Sequence, residues 1–430
     1  MKIRLYNARI LDLSGDHNIR CGEVCVSGGL IEKVSYDNNA GSHEEVFDRQ
    51  IDCHGNLLMR GFNNAHAHSA MTFLRSRADD KPTPIWLKDD VFPNEAKLTD
   101  EDIADFQRLA IMEYVSGGIV SAMDMYLRPD VTAEVFSKAG MRAVIVSGLN
   151  DFTSSIERFQ DEFVRLNSMH PLISYKAGFH AEYTCRKERL ERLSEIVREL
   201  KCPVYCHLSE TAFEVEDCVR RTGCTPFDYL DSLGLFENGG GIYHGVHLTD
   251  EEIDRIRDRG VHVVINSGSN CKLASGIAPL KKMHDKGIRL ALGTDGPASN
   301  NSLDMFREMY LTSVLCKLAE KDAACMDASF ILDMAVKGSA GCMGLEDSGQ
   351  IKAGNPADMI LLDLFKPNMQ PLNNIVKNIV YAGNVSNVIM TMVAGRILYE
   401  NGEYDLGFDT EELLAKCAAR CKRIFSGDTK

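Results

Sequence analysis

Short apolar runs alternate with longer segments of helical period between residues 57 and 351, and this alternation limits the fold more than any other feature of the chain. The runs end near Asn63, Met123, Ser147, Phe179, Cys206, Tyr243, Ile265 and Gly293. A helix between two such runs carries the chain back to its starting side, so the strands lie parallel and adjacent. Eight units of this kind are the number that closes into a (β/α)8 barrel. The intervening segments have the period of helices with one buried face. Ile103, Phe106, Leu109 and Ala110 share a face near 102–115, and Leu190, Leu193, Ile196, Val197 and Leu200 share one over 187–200.

The rhythm differs at both chain ends. Residues 1–56 read as short strands, Ile3–Ile10, Gly22–Val26 and Leu30–Val34, bounded by Gly, Asn and Asp. Strand patterns return at Asp358–Asp363, Val388–Val393 and Gly395–Tyr399, and residues 410–426 read as a closing helix. The expected architecture is α/β. A barrel spans 57–351, a small composite β-sandwich forms from 1–56 with 352–405, and a C-terminal helix lies within 406–430.

A barrel of this kind gathers its reactive groups at the C-terminal ends of its strands. Residue types at those ends are therefore informative. Strand one ends in His66 and His68, whose spacing of two puts both imidazoles on one side of an extended chain. Strand four ends in His180, strand five in His207-Leu208-Ser209-Glu210, strand six in His244-Gly245-Val246-His247, and strand eight in Thr294-Asp295-Gly296. Five or six of the twelve histidines thus fall on one predicted face. Scattered placement would not do this.

His66, His68 and His207 through nitrogen, with Asp295 through oxygen, make a first shell for one transition metal and leave a position open for water. Zinc suits this set, with iron(II) as the alternative. Such a metal lowers the pKa of water and supplies a nucleophile near neutral pH. Glu210, three residues past His207, is placed to shuttle protons to a leaving group. His244 is placed to polarise the attacking water, and Asp295 to take its proton. Other readings stand beside these. Asp295 in Thr-Asp-Gly also reads as a turn residue. His247 and His262 read as structural, His17, His43, His54, His170 and His284 as loop or surface residues, and Lys176 as a structural residue beside a single-metal site.

Composition removes other functions. The chain has 430 residues, is 44% hydrophobic and 26% charged, and carries a formal charge of −14. Without a compensating basic run, that charge argues against nucleic-acid binding. No apolar run is long enough to span a membrane, and the N-terminal residues lack a signal-peptide core. Fourteen cysteines with no Cys-x-x-Cys pair read as reduced thiols of a cytoplasmic protein, which leaves histidine and carboxylate to hold any metal.

Several blocks together resemble the amidohydrolase superfamily, and within it the methylthioadenosine/S-adenosylhomocysteine deaminase branch with its triazine-hydrolase and guanine-deaminase cousins. They are Asn63-Asn64-Ala65-His66-Ala67-His68, His207-Leu208-Ser209-Glu210-Thr211, His244 to Asp250, Ser269 to Gly276, and Gly293-Thr294-Asp295-Gly296-Pro297-Ala298-Ser299-Asn300-Asn301. The resemblance covers nearly the whole chain. It implies the composite architecture above, one divalent metal, usually zinc, and a homo-oligomer. It implies hydrolytic deamination of a small heterocycle, most like an adenosine-type thioether nucleoside. Glu210 then protonates the ring nitrogen next to the carbon under attack, and His180, Trp86 and Ser299 contact substrate.

The chain also departs from that pattern. The glutamate that grips the ribose hydroxyls in these deaminases precedes the tryptophan, but here Pro84-Ile85-Trp86-Leu87 puts an isoleucine there. Isoleucine accepts no hydrogen bond. Arg60 and Ser267 replace common prolines, and Phe179-His180-Ala181-Glu182-Tyr183-Thr184 brings in Glu182 as a possible substitute carboxylate. The missing clamp favours a sister specificity for a free base, a pterin or a triazine. An inactive metal-binding barrel is the remaining alternative. The set of Glu210, His244 and Asp295 argues against it, because a retired site has no physical need for a proton shuttle.

Overall fold

The computed structural model describes residues 1–36, 46–77, 79–81, 85–153, 155–345 and 349–426, so His43 and Pro84 lie outside the described residues. Eight parallel strands follow one another around a sheet: Phe62–Ala67, Ile119–Met125, Arg142–Val146, Ile173–Ala181, Val204–Leu208, Gly240–His244, Val261–Ile265 and Arg289–Leu292. Seven coincide with the apolar runs; the first, Phe62–Ala67, covers only the end of its run near Asn63 and extends beyond it. Most of their residues are buried on both faces, as parallel strands covered by helices must be.

The circle closes at the ends that carry the reactive groups. Asp295 N–H donates to the His66 carbonyl at 3.0 Å. The Asn64 amide bridges to Thr294, accepting from its N–H at 2.9 Å and donating to Oγ1 at 2.7 Å. Gly293 is required here, because a Cβ would stand 2.8 Å from the His66 Cβ and 2.6 Å from Asn266 Oδ1.

A second, nine-stranded mixed sheet is built from both chain ends. Its strands Lys2–Asp12, Asn18–Ser27 and Leu30–Tyr36 meet Met359–Leu362, Val388–Val393 and Arg396–Glu400 around one core that includes Leu5, Val24, Met359, Met390 and Met392. Leu57–Arg60, which the sequence pattern groups with the barrel, is a strand of this second sheet. It pairs antiparallel with Met359–Leu362 and parallel with Lys2–Asp12. Gly61 marks the passage between sheets, since a Cβ there would lie 2.2 Å from Val120 Cγ1.

The helix Asp100–Ser116 opens with a capping box between Thr99 and Asp102. Asp102 and Asp105 also hold the C-terminal helix Thr410–Ile424 through Arg420, at 2.9 and 2.7 Å. Leu413, Cys417 and Ile424 of that helix join Met71, Trp86, Val91 and Ile103 in one apolar cluster. The last helix therefore backs the segment 86–103, which walls the cavity described next. No helix among the described residues is long and apolar enough to cross a membrane.

Candidate active site

Barrel strands one, five and eight deliver His66, His68, His207 and Asp295 to one point. Their ligand atoms all lie within 4.8 Å of one another, and all four side chains are buried. His66 Nε2 and His68 Nε2 are each 3.3 Å from Asp295 Oδ1, and His68 Nε2 is 3.2 Å from His207 Nε2. The tautomers are set from behind. His207 Nδ1 donates to the His180 carbonyl at 2.7 Å, and His68 Nδ1 donates to the Met125 carbonyl. With the proton on Nδ1, the two Nε2 atoms face each other as lone pairs. Two lone pairs at that separation repel unless a cation lies between them.

His66 carries the same message. It is 0% exposed, stacks on Tyr243 at 3.6 Å, and has no hydrogen-bond partner on its ring nitrogens among the described residues. Burial pushes its imidazole down to about 3 and holds His207 well below the usual range, so both are neutral. Burial opposes the charge of Asp295, but its contact with His66 and the surrounding imidazoles hold it ionised. Three imidazoles and one carboxylate, with His66 and His207 neutral and Asp295 ionised, are the donor set that a divalent metal requires.

Asp295 is oriented by its other oxygen. Oδ2 accepts from Ser269 Oγ at 2.5 Å and from Ser299 Oγ at 2.8 Å. Ser299 reaches the cavity wall, but its hydroxyl is committed to Asp295. Sequence reasoning gave Ser269 no role. The available signal was its place in the helix Ser267–Lys272, directly after strand seven. Ser209, His244 and Asp295 take left-handed φ values of 53°, 74° and 58°. Non-glycine residues held this way at three strand ends mark turns shaped for the site.

Glu210 and His244 stand beside the metal group. His244 Nε2 is 3.9 Å from Glu210 Oε2, and its Nδ1 meets Asn270 Oδ1 at 2.7 Å. Burial raises the Glu210 carboxyl above its ordinary range, which suits a group that must carry a proton. Burial disfavours charge on His244, but Glu210 and Asp295 outweigh it and raise the imidazole. His180 lies near this end, its ring centroid 4.9 Å from that of His207.

These groups close one end of a cavity of about 610 Å³. Beyond them its wall is mostly apolar, including Met71, Trp86, Leu87, Val91, Met125 and Leu273. Trp86 begins the helical turn Trp86–Val91 and is buried. Ile85 does not line the cavity and is 49% exposed. Glu182 is not its replacement, because both of its oxygens are held by Arg221 Nη2 at 2.6 and 2.7 Å. The cavity wall offers a different carboxylate, Glu95, beside the Tyr126 phenol. Neither Tyr126 Oη nor Trp86 Nε1 has a well-formed hydrogen bond among the described residues.

Of the other described histidines, His17 is no surface residue: its Nε2 lies 2.8 Å from Asp333 Oδ1 and its side chain is largely buried. His247 Nε2 donates to the Ser275 carbonyl at 2.8 Å, and His262 Nδ1 lies 3.3 Å from the Gly240 carbonyl. Lys176 Nζ lies beside Gly344, 3.5 Å from where a Cβ would stand there.

The chain has known counterparts. Over 432 residues and 99% of both chains, the sequence is 37% identical to a 5-methylthioadenosine/S-adenosylhomocysteine deaminase of Syntrophomonas wolfei. It is 40% identical over 404 residues to the protein of that name from Nitratidesulfovibrio vulgaris, covering 92% of this chain and 91% of that one. The crystal structure of an adenosine deaminase from Xanthomonas campestris with bound zinc superposes with a TM-score of 0.93 at 33% identity, covering 99% of this chain and 98% of that one. The amidohydrolase family pattern matches residues 57–398, and with these full-length likenesses the chain belongs to the amidohydrolase family.

Proposed function

We propose that the protein is a zinc-dependent hydrolytic deaminase of an amino-purine nucleoside of the methylthioadenosine/S-adenosylhomocysteine class. The observation that carries this reading is the four-ligand group with Glu210 and His244 beside it, at the closed end of a large, mostly apolar cavity. His66, His68, His207 and Asp295 hold the metal, which when bound supplies Lewis-acid activation of water. The names of the relatives and the zinc of the structural counterpart point to the same chemistry.

The chain's own groups divide the proton work. His244 hydrogen-bonds the attacking water and fixes its approach. Asp295, ionised, takes the proton that water loses. Glu210 gives its proton to the ring nitrogen next to the carbon bearing the amino group; the proton held by Asp295 then passes to the amino group, which leaves as ammonia, and Glu210 takes back the second proton of the water as the carbonyl forms. The carbon keeps the water oxygen as a carbonyl. His180, a neutral imidazole that burial pushes down to about 4, contacts the ring.

Cavities for small ligands run to roughly 300–1,000 Å³. At about 610 Å³ this one has room for a base with a sugar and a thioether tail. The competing reading is a free base, a pterin or a triazine, and Ile85 is the residue in its favour. Glu95, whose carboxyl burial raises to about 7, answers it by presenting a hydrogen-bonding carboxyl group to the paired ribose hydroxyls. Among the described residues no Arg or Lys pairs with Glu95. Hydrogen bonds to a charged group contribute about 1.5–3 kcal/mol. Glu95→Gln should therefore raise KM for nucleosides by about 10- to 100-fold. Any turnover of the corresponding free base should be unchanged, and steady-state kinetics on the two substrates checks this.

The test of the function is ammonia release by the zinc-loaded protein. The panel is adenosine, methylthioadenosine, S-adenosylhomocysteine, guanine, cytosine, a pterin and melamine. Fast release from the thioether nucleosides is expected. Release from a free base but not from its nucleoside would transfer the protein to the competing reading. Silence from a fully metallated sample would overturn deamination altogether.

A further inference from the structure

Glu214 is absent from the chemistry above, yet its carboxylate grips the backbone that presents Glu210. Ser209 N–H donates to Glu214 Oε1 at 2.7 Å, and Glu210 N–H donates to Oε2 at 2.9 Å. Both oxygens of one carboxylate are spent on two consecutive amides just past strand five. Glu214 is 5% exposed and has no Arg or Lys partner among the described residues. Burying a carboxylate without a counter-charge is costly, so its place calls for a function.

An ordinary helix cap does not account for it. Glu214 is the third residue of the helix Ala212–Thr222, whose N-cap Thr211 accepts its N–H at 3.2 Å. In a capping box, the glutamate at this position returns the bond to the N-cap amide. The same Thr-x-x-Glu arrangement does so elsewhere in this chain, where Glu252 accepts from Thr249 N–H at 2.9 Å. Glu214 reaches past its N-cap residue to the two amides before it.

The turn is held from its other side as well. Ser209 C=O accepts from His247 N–H at 2.9 Å, and Leu208 C=O accepts from Gly245 N–H at 3.1 Å. Strands five and six are thus laced together through their last residues. Ser209 sits at φ 53° and His244 at φ 74°, so neither turn is the relaxed conformation of its residue. Without the carboxylate, two buried amides lose their acceptor and the Ser209–Glu210 peptide is free to rotate. The Glu210 side chain then leaves its place 3.9 Å from His244.

We propose that Glu214 is a positioning residue that sets the reach of Glu210 by fixing these two backbone amides. The proposal rests on the reading of Glu210 as the proton carrier.

The test is a double-mutant cycle with Glu210→Gln and Glu214→Gln, each protein first checked for metal content and melting temperature. Glutamine matches glutamate in shape but turns an NH2 toward one of the amides. A packing role would tolerate it. Loss of a group that orients a reacting residue costs about 10–100-fold. Glu214→Gln should therefore lower kcat by about that factor, with KM nearly unchanged and metal retained. In the Glu210→Gln background it should cost nothing more, because it acts only through Glu210. Losses that multiply, or wild-type kcat for Glu214→Gln alone, would overturn the proposal while leaving the Glu210 reading intact. Wild-type kcat for Glu210→Gln would instead remove the reading on which both rest. If Glu214→Gln folds poorly, Glu214→Asp enters the same cycle. It keeps the charge but is one methylene too short to reach both amides, and the same kcat-specific, non-additive loss is expected.

Discussion

Glu210→Gln is expected to bind its full complement of metal and to lose about two to four orders of magnitude in kcat, the usual contribution of a positioned acid–base group. The metal is spared because Glu210 supports none of the ligands. His207 is oriented by the His180 carbonyl, and Asp295 by Ser269 and Ser299. Glu210 itself has little to hold it but Ser275 Oγ at 3.4 Å and the backbone behind it. Glutamine fills the same space and still accepts that hydroxyl, but it has no proton to give to a ring nitrogen. Ammonia release from methylthioadenosine, read beside metal stoichiometry, is the measurement. Near-normal turnover would show that another group carries the proton.

His207→Ala, or removal of the metal by a chelator, should abolish turnover, and added zinc should restore the chelated wild type but not the variant. The physical basis is the facing of His68 Nε2 and His207 Nε2 at 3.2 Å with both outer nitrogens tied to carbonyls. Without a cation, three imidazole nitrogens and the Asp295 carboxylate crowd one buried point and destabilise the folded state. Metal that binds only the folded chain stabilises it by mass action. The metal-free wild type should therefore melt lower than the loaded protein, and His207→Ala should show reduced metal content and a smaller rise on loading. Unchanged metal stoichiometry in His207→Ala would remove it from the ligand set.

Much of this protein can be read along the chain because its signals are local. Alternation of apolar runs and helical segments is a property of neighbours, so the number of barrel strands and the place of seven of them follow without knowing what they touch. The side-chain period of a strand put His66 and His68 on one side, and the rule that reactive groups gather at one end of such a barrel drew His207, Glu210, His244 and Asp295 to them. The family resemblance added the reaction, not the geometry.

Other features depend on residues distant in the chain. Leu57–Arg60 reads the same in either sheet, and only pairing with Met359–Leu362 assigns it to the second. Thr-x-x-Glu occurs after strand five and again before the helix Asp250–Asp258, yet Glu214 turns to Ser209 and Glu210 while Glu252 closes an ordinary cap. Glu182 looked available for substrate until Arg221, 39 positions later, took both its oxygens. Glu95, with no motif to flag it, lines the cavity because the segment carrying it packs there against the C-terminal helix. Sequence alone determined which residues stand at the strand ends, since backbone period dictates that. Tertiary structure decided which polar groups are already satisfied and which remain free for a ligand, because a hydrogen bond is spent on whichever partner the fold brings within reach.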